Sequence, residues 1–91
     1  MKSCSFPCYD LVSPEAAEGA RAAFQAALEE LAAAGEISSI SSRVAMDDWG
    51  TPQTVLCEWS GNDTGEIEQV LGSIAQPFYE QKVLLAPYDY Q

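Results

Sequence analysis

The side chains of this chain that could do chemistry are carboxylates and thiols. Asp47 and Asp48 precede Trp49 in the stretch AMDDWGTPQ, residues 45–53, and the thiols are Cys4, Cys8 and Cys57. There is no histidine, so the commonest general base and metal ligand is missing. Neither a Ser-His-Asp nor a Cys-His arrangement can be assembled. Consecutive carboxylates, Asp47 with Asp48 or Glu29 with Glu30, diverge on a strand or helix and read as solvated surface. No further spaced acid follows Asp48 to complete a divalent-cation loop. The six glycines are scattered, so no phosphate-cradling loop is present. Lys2, Arg21, Arg43 and Lys82 are too few and too spread to clamp a phosphate. A cysteine nucleophile needs cationic neighbours to form its thiolate, and an acidic surface pushes the thiol the wrong way. The expectation is a protein that is not an enzyme and takes no cofactor.

The thiols read as structural. Within one extended strand Cys4 and Cys8 stand about 13 Å apart, beyond disulfide reach, whereas Cys57 could meet one of them across strands. A Cys-x3-Cys pair with one distant Cys and no histidine is a poor zinc set. Buried free thiols acting as small hydrophobes are expected, and no metal.

Charge is the strongest signal in the composition. Fourteen acids face four basic residues, for a net charge of -10. Phosphate neutralisation is out of reach, so direct nucleic-acid binding is not expected, and anionic membranes would repel the chain. Two readings remain: a well-solvated acidic domain, or a ligand for a basic protein surface, drawn in by electrostatic steering. The run AAFQAALEELAAA carries Gln25, Glu29 and Glu30 and is not a membrane span. MKSCSFPCYD has no apolar segment of the signal-peptide kind, and the expected address is cytoplasmic.

The elements that must position these groups follow from periodicity. With 91 residues, 47% of them hydrophobic, one domain spanning 1–91 with a packed core is expected. SCSFPCYDLV reads as a strand ending at Val12, broken or left unpaired at Pro7. Ser13 is an N-cap, Pro14 suits the first helical position, and Gly35 ends a helix reaching about Ala34. Ala20, Phe24, Ala27 or Leu28, and Leu31 form its apolar face. Residues 37–46 alternate as a strand with Ile40, Val44 and Met46 on one face. PQTVLCEWSG does the same with Val55, Cys57 and Trp59, and the DDWGTP break between them makes a hairpin. Asp63 and Glu66 fit a capping box, and Ile67, Val70, Leu71, Ile74 and Phe78 carry the second apolar stripe. Pro77 is expected to end that helix near Ala75 or Gln76. QKVLLAPYDY reads as a last strand.

Strand, helix, strand, strand, helix, strand resembles the ferredoxin-like split βαβ pattern. That resemblance implies an α+β domain whose four-stranded antiparallel sheet carries two helices on one face. The fold by itself implies no activity. It gathers the 47–52 loop, the first strand–helix turn with Glu15, and the second helix–strand turn with Phe78, Tyr79 and Glu80 at one end. There Trp49 either anchors a partner or folds back to cap the core. The open sheet face, with Arg43, Ala45, Thr54, Leu56 and Glu58 and either Phe6 or Tyr9, offers a homodimer or docking surface.

The leading functional expectation is a non-enzymatic acidic interaction protein. It occupies a basic, nucleic-acid-binding surface of a partner protein by charge mimicry and steric occlusion. Glu15, Glu18, Glu29, Glu30, Glu66 and Glu68, with Asp47, Asp48 and Glu80, would supply charge. Trp49, Tyr79 and the tail tyrosines Tyr88 and Tyr90 would supply anchors. In size, acidity and want of catalytic residues the chain is similar to small phage inhibitors of the anti-CRISPR and anti-restriction kind, though no motif is shared. The alternatives are a dimeric ligand-sensing module laid out like ACT domains and a small enzyme of the dimeric α+β-barrel kind. DLVSPE lacks the glycine of the usual ACT ligand turn, and the histidine-free, alanine-rich first helix does not suggest the polar pocket that such an enzyme needs.

Overall fold

The computed structural model describes residues 2–61 and 65–86. Their elements run β1 (Lys2–Pro7), α1 (Pro14–Ala33), β2 (Ile37–Met46), β3 (Pro52–Gly61) and α2 (Glu66–Glu80). The strands form one antiparallel sheet in the order β1-β3-β2. Lys2 pairs with Trp59 and Pro7 with Thr54, while Ser42 pairs with Cys57 and Met46 with Pro52.

Alternation on the central strand sets the layers. Val55, Cys57 and Trp59 are buried, and Thr54, Leu56 and Glu58 are only partly so, so the helices cover one face. Beneath them lie Phe6, Phe24, Leu28, Ile67 and Leu71. Phe6 stacks on Phe24 with ring centroids 4.5 Å apart, and Phe78 tilts against Phe24 at 6.4 Å. The small residues Ala17, Ala20 and Ala27 are buried on α1 and let that helix approach the sheet closely. A polar chain ties it to β2. Arg21 donates to Ser42 Oγ at 2.9 Å, Ser42 donates to Gln25 Oε1 at 2.7 Å, and Gln25 donates to Glu29 at 3.1 Å.

The start and stop signals of α1 act as expected. Ser13 accepts from the Ala16 N–H at 3.1 Å. Gly35, at φ 83, closes the helix with bonds from Gly35 to Ala32 and from Glu36 to Leu31, the paired bonds of a Schellman cap. In α2 the start differs. Gly65 is the N-cap and offers no side chain, and the expected cap Asp63 lies outside the described residues. The end differs too, because α2 runs through Pro77 to Glu80. Phe78 and Tyr79 pack against the core, which compensates for the bond that Pro77 cannot donate.

Among the described residues the expected four-stranded ferredoxin-like sheet is not formed; the architecture is α+β with three strands. α2 ends at Glu80, and the turn that closes it takes Gln81 and Lys82, the start of the expected last strand; residues 87–90 of that strand lie outside the described residues. Lys82, at φ 61, then closes α2 through bonds from Lys82 to Tyr79 and from Val83 to Phe78, a second Schellman cap. Beside the end of β1 the described residues form a single bridge, Cys8 to Leu84, flanked by bonds from Tyr9 to Val83 and from Leu85 to Pro7. β1 itself stops at Pro7 rather than Val12.

The topology gives the domain two ends, about 30 Å apart along β3. Because β1 and β2 both run antiparallel to β3, α1 must start at the hairpin end and finish at the far end. α2 starts at the far end and returns, since Leu84 meets Cys8. No helix among the described residues is long and apolar enough to cross a membrane.

Candidate protein-interaction surface

The β2–β3 loop is built around Asp47. Its Oδ1 accepts from the backbone N–H of Trp49 and of Thr51, each at 2.9 Å. Gln53 Nε2 approaches Oδ2 at 3.4 Å. The Gly50 N–H bonds the Asp47 carbonyl at 3.1 Å, and the Asp47 N–H bonds Thr51 O at 3.0 Å. Gly50 sits at φ 78, a left-handed position that an L side chain rarely adopts. The tip is therefore held by its own hydrogen bonds, and it presents a Trp49 that is 91% exposed. Trp49 does not cap the core. Asp48 is exposed and makes no hydrogen bond or ion pair among the described residues.

Leu11 was not singled out by periodicity, which placed it at the close of a strand. It is 91% exposed in the turn before Ser13, and its backbone is left-handed at φ 61. The signal available in the sequence was its position, one apolar residue between Asp10 and the Ser-Pro helix start. Met46, at the end of β2, is 49% exposed. Leu11, Met46 and Trp49 thus share the hairpin end with exposed Asp10, Glu15, Asp48 and Glu80. The carboxylate of Asp47 is engaged within its own loop.

The other expected contact residues divide. Tyr79 belongs to this end but is half-buried against the core. Glu18 is engaged by Arg21, whose Nε donates to it at 2.8 Å, and that bond lowers the Glu18 pKa. Glu29 and Glu30 are exposed near the end of α1 and Glu66 and Glu68 at the start of α2, so all four lie toward the far end. Tyr88 and Tyr90 fall outside the described residues. The open sheet face takes Ser3, Ser5, Ser41, Arg43, Ala45, Thr54, Leu56 and Glu58 by strand parity. Phe6 points to the helices instead and is buried. Tyr9 is half-buried with the Lys82 ammonium 5.3 Å from its ring centroid. The face is consequently rich in hydroxyls, with Leu56 its one large apolar side chain among the described residues.

The thiols are all free. Burial pushes the Cys4 and Cys8 thiols up and takes Cys57 to about 12; Glu68 adds to the shift at Cys4. Desolvation rather than the acidic surface is the first cause, and it keeps the sulfurs protonated at neutral pH. Among the described residues no three His, Cys, Asp or Glu side chains are grouped to hold a metal ion. Compared with protein-family models, with curated proteins and with solved structures, the chain matches none.

Proposed function

We propose that the chain is a non-enzymatic interaction protein that sets its hairpin end into a basic surface of another protein and blocks it. The partner class that fits is a nucleic-acid-handling protein, whose binding groove combines cationic side chains with apolar floor. The observation carrying this reading is Trp49. It is almost fully exposed on a loop that Asp47 holds in place, with carboxylates around it. A rigid aromatic anchor loses little conformational freedom on binding, and a desolvated Trp is a common centre of interface energy. Leu11 gives that anchor a second apolar point. The acids of the far end lie more than a Debye length of about 8–10 Å away. Their role in this reading is long-range attraction that speeds encounter, not contact.

The test is capture of host-cell proteins on the immobilised chain, eluted by a salt gradient and identified by mass spectrometry. Three baits are compared: wild type, a Trp49→Ala/Asp48→Asn variant, and a Glu29→Gln/Glu30→Gln variant. A nucleic-acid-handling protein held by wild type, displaced by added nucleic acid and lost from the first variant but kept by the second supports the reading. Retention by all three baits alike, or by none, overturns it.

A further inference from the structure

Cys4 on β1 and Cys57 on β3 are direct partners in the sheet register. The Cys8 N–H bonds the Gln53 carbonyl at 2.9 Å, so residues 8 and 53 are a hydrogen-bonded pair. Antiparallel pairs alternate. Phe6 with Val55, and Cys4 with Cys57, are therefore hydrogen-bonded pairs as well. Such pairs hold their Cα atoms about 5.5 Å apart, inside the roughly 4.4–6.8 Å that disulfides span. Both side chains lie on the helix-facing side, Cys4 in line with Phe6 and Cys57 between Val55 and Trp59. Each is close enough that the charge of Cys4 raises the Cys57 pKa. Their exposures differ: Cys57 is sealed in the core, and Cys4 is reachable from solvent.

We propose that Cys4 and Cys57 form an oxidative modification site, a dithiol that a small-molecule disulfide of the glutathione class converts to a cross-strand disulfide. This rests on the sheet register alone and is independent of the proposed function. The reachable thiol acts first. Cys4, as thiolate, attacks one sulfur of the oxidant; a Cys4–glutathione bond forms and glutathione thiolate leaves. Cys57 then gives up its proton and attacks the Cys4 sulfur from across the strand pair, expelling the second glutathione thiolate. Two protein thiols are oxidised, and one oxidant disulfide is reduced to two thiols.

Directly opposite Cβ atoms stand about 4.5–5.5 Å apart in sheets, wider than the roughly 3.8 Å of a relaxed disulfide. The closed bridge draws β1 and β3 together and is readily reduced again. Because burial holds both thiols protonated, oxidation accelerates as pH rises above neutral.

The test incubates the folded protein with oxidised glutathione, traps remaining thiols by alkylation, and maps peptides without reduction. The expected product links the Cys4 and Cys57 peptides within one chain, is reversed by excess reduced glutathione, and forms equally in a Cys8→Ser variant. In Cys57→Ala, glutathione stays on Cys4. If that variant does not fold, Cys4→Ser serves in its place, and there Cys57 remains a free thiol. The proposal is overturned if wild type at full oxidation keeps glutathione on Cys4 with Cys57 alkylatable. It is equally overturned if Cys57 links to Cys8 or to a second chain instead.

Discussion

Trp49, in the loop before β3, and Trp59, near the other end of that strand, have opposite environments. Trp59 is 1% exposed, opposite Lys2 in the register and sealed at the far end by the core. Its indole N–H is buried with no hydrogen-bond partner among the described residues, a cost that packing has to exceed. Trp49, at the hairpin end, leaves nearly all of its surface in water. The backbones differ in the same sense. At the far end the left-handed positions next to the strands are glycines, Gly35, Gly61 and Gly65. The remaining non-glycine case in β2, Ser39, sits at a bulge between Ser38 and Ser41. At the hairpin end Leu11 and Lys82 both hold left-handed conformations, which disfavour side chains by about 1–2 kcal/mol each. The far end hides its tryptophan and holds its one left-handed side chain, Ser39, within a bulge. The other retains exposed apolar surface and backbone strain, the combination expected where a surface is used.

The largest expected effect separates the tryptophans directly. Trp59→Ala should lower unfolding free energy by about 3–5 kcal/mol, the range for a large aromatic removed from a core. Trp49→Ala should stay within about 0.5 kcal/mol of wild type, as for surface changes away from packing. Urea unfolding followed by circular dichroism measures both. With Trp59→Phe, the remaining Trp49 fluorescence should be red-shifted and freely quenched by acrylamide. A blue-shifted, protected signal, or a cost above about 1 kcal/mol for Trp49→Ala, would mean that Trp49 packs on the domain, and the contrast between the ends would fail.

Leu11 sharpens the same contrast at smaller scale. Leu11→Gly relieves the left-handed strain of about 1–2 kcal/mol and gives back part of it through unfolded-chain entropy, about 0.5–1 kcal/mol. The net expectation is a gain of about 0.5–1 kcal/mol in urea unfolding, together with weaker partner binding through a faster off-rate. A variant that gains stability and binds its partner unchanged would show that Leu11 is strained for some other reason.

Much of this was legible in the sequence, and what was not has physical causes. Ser13, Pro14 and Gly35 bounded α1 because capping is local chemistry. The alternation through Val55, Cys57 and Trp59 set the buried face of β3 because its period of two has no rival reading. The fourth strand failed as an expectation because Lys82 takes a left-handed cap where glycine is the usual signal. Pro77 marked a helix end that the packing of Phe78 and Tyr79 overrides. The fate of Trp49 depended on which groups Asp47 would bind, and side-chain bonds of a loop are not written in periodicity. The helix acids, grouped with the loop acids by charge alone, were parted once the directions of α1 and α2 placed Glu29, Glu30, Glu66 and Glu68 toward the far end.

Those far-end acids give the smallest prediction and the most direct check that the far end stays out of the contact. Glu66 and Glu68 lie in the first turn of α2, where the helix dipole favours negative charge; Glu30 lies in the last turn of α1, where no basic residue offsets it. Glu30→Lys should therefore raise stability by a few tenths of a kcal/mol at low ionic strength, and Glu66→Lys should lower it by a similar amount, both effects fading with added salt. On partner binding the two changes should act alike despite their opposite effects on folding. Each removes negative charge at a distance, so each slows association slightly and leaves dissociation unchanged. Surface plasmon resonance at two salt concentrations separates the rates. A faster off-rate in either variant would place the far end inside the contact, and the partner would then have to span the whole length of β3 rather than grip one tip.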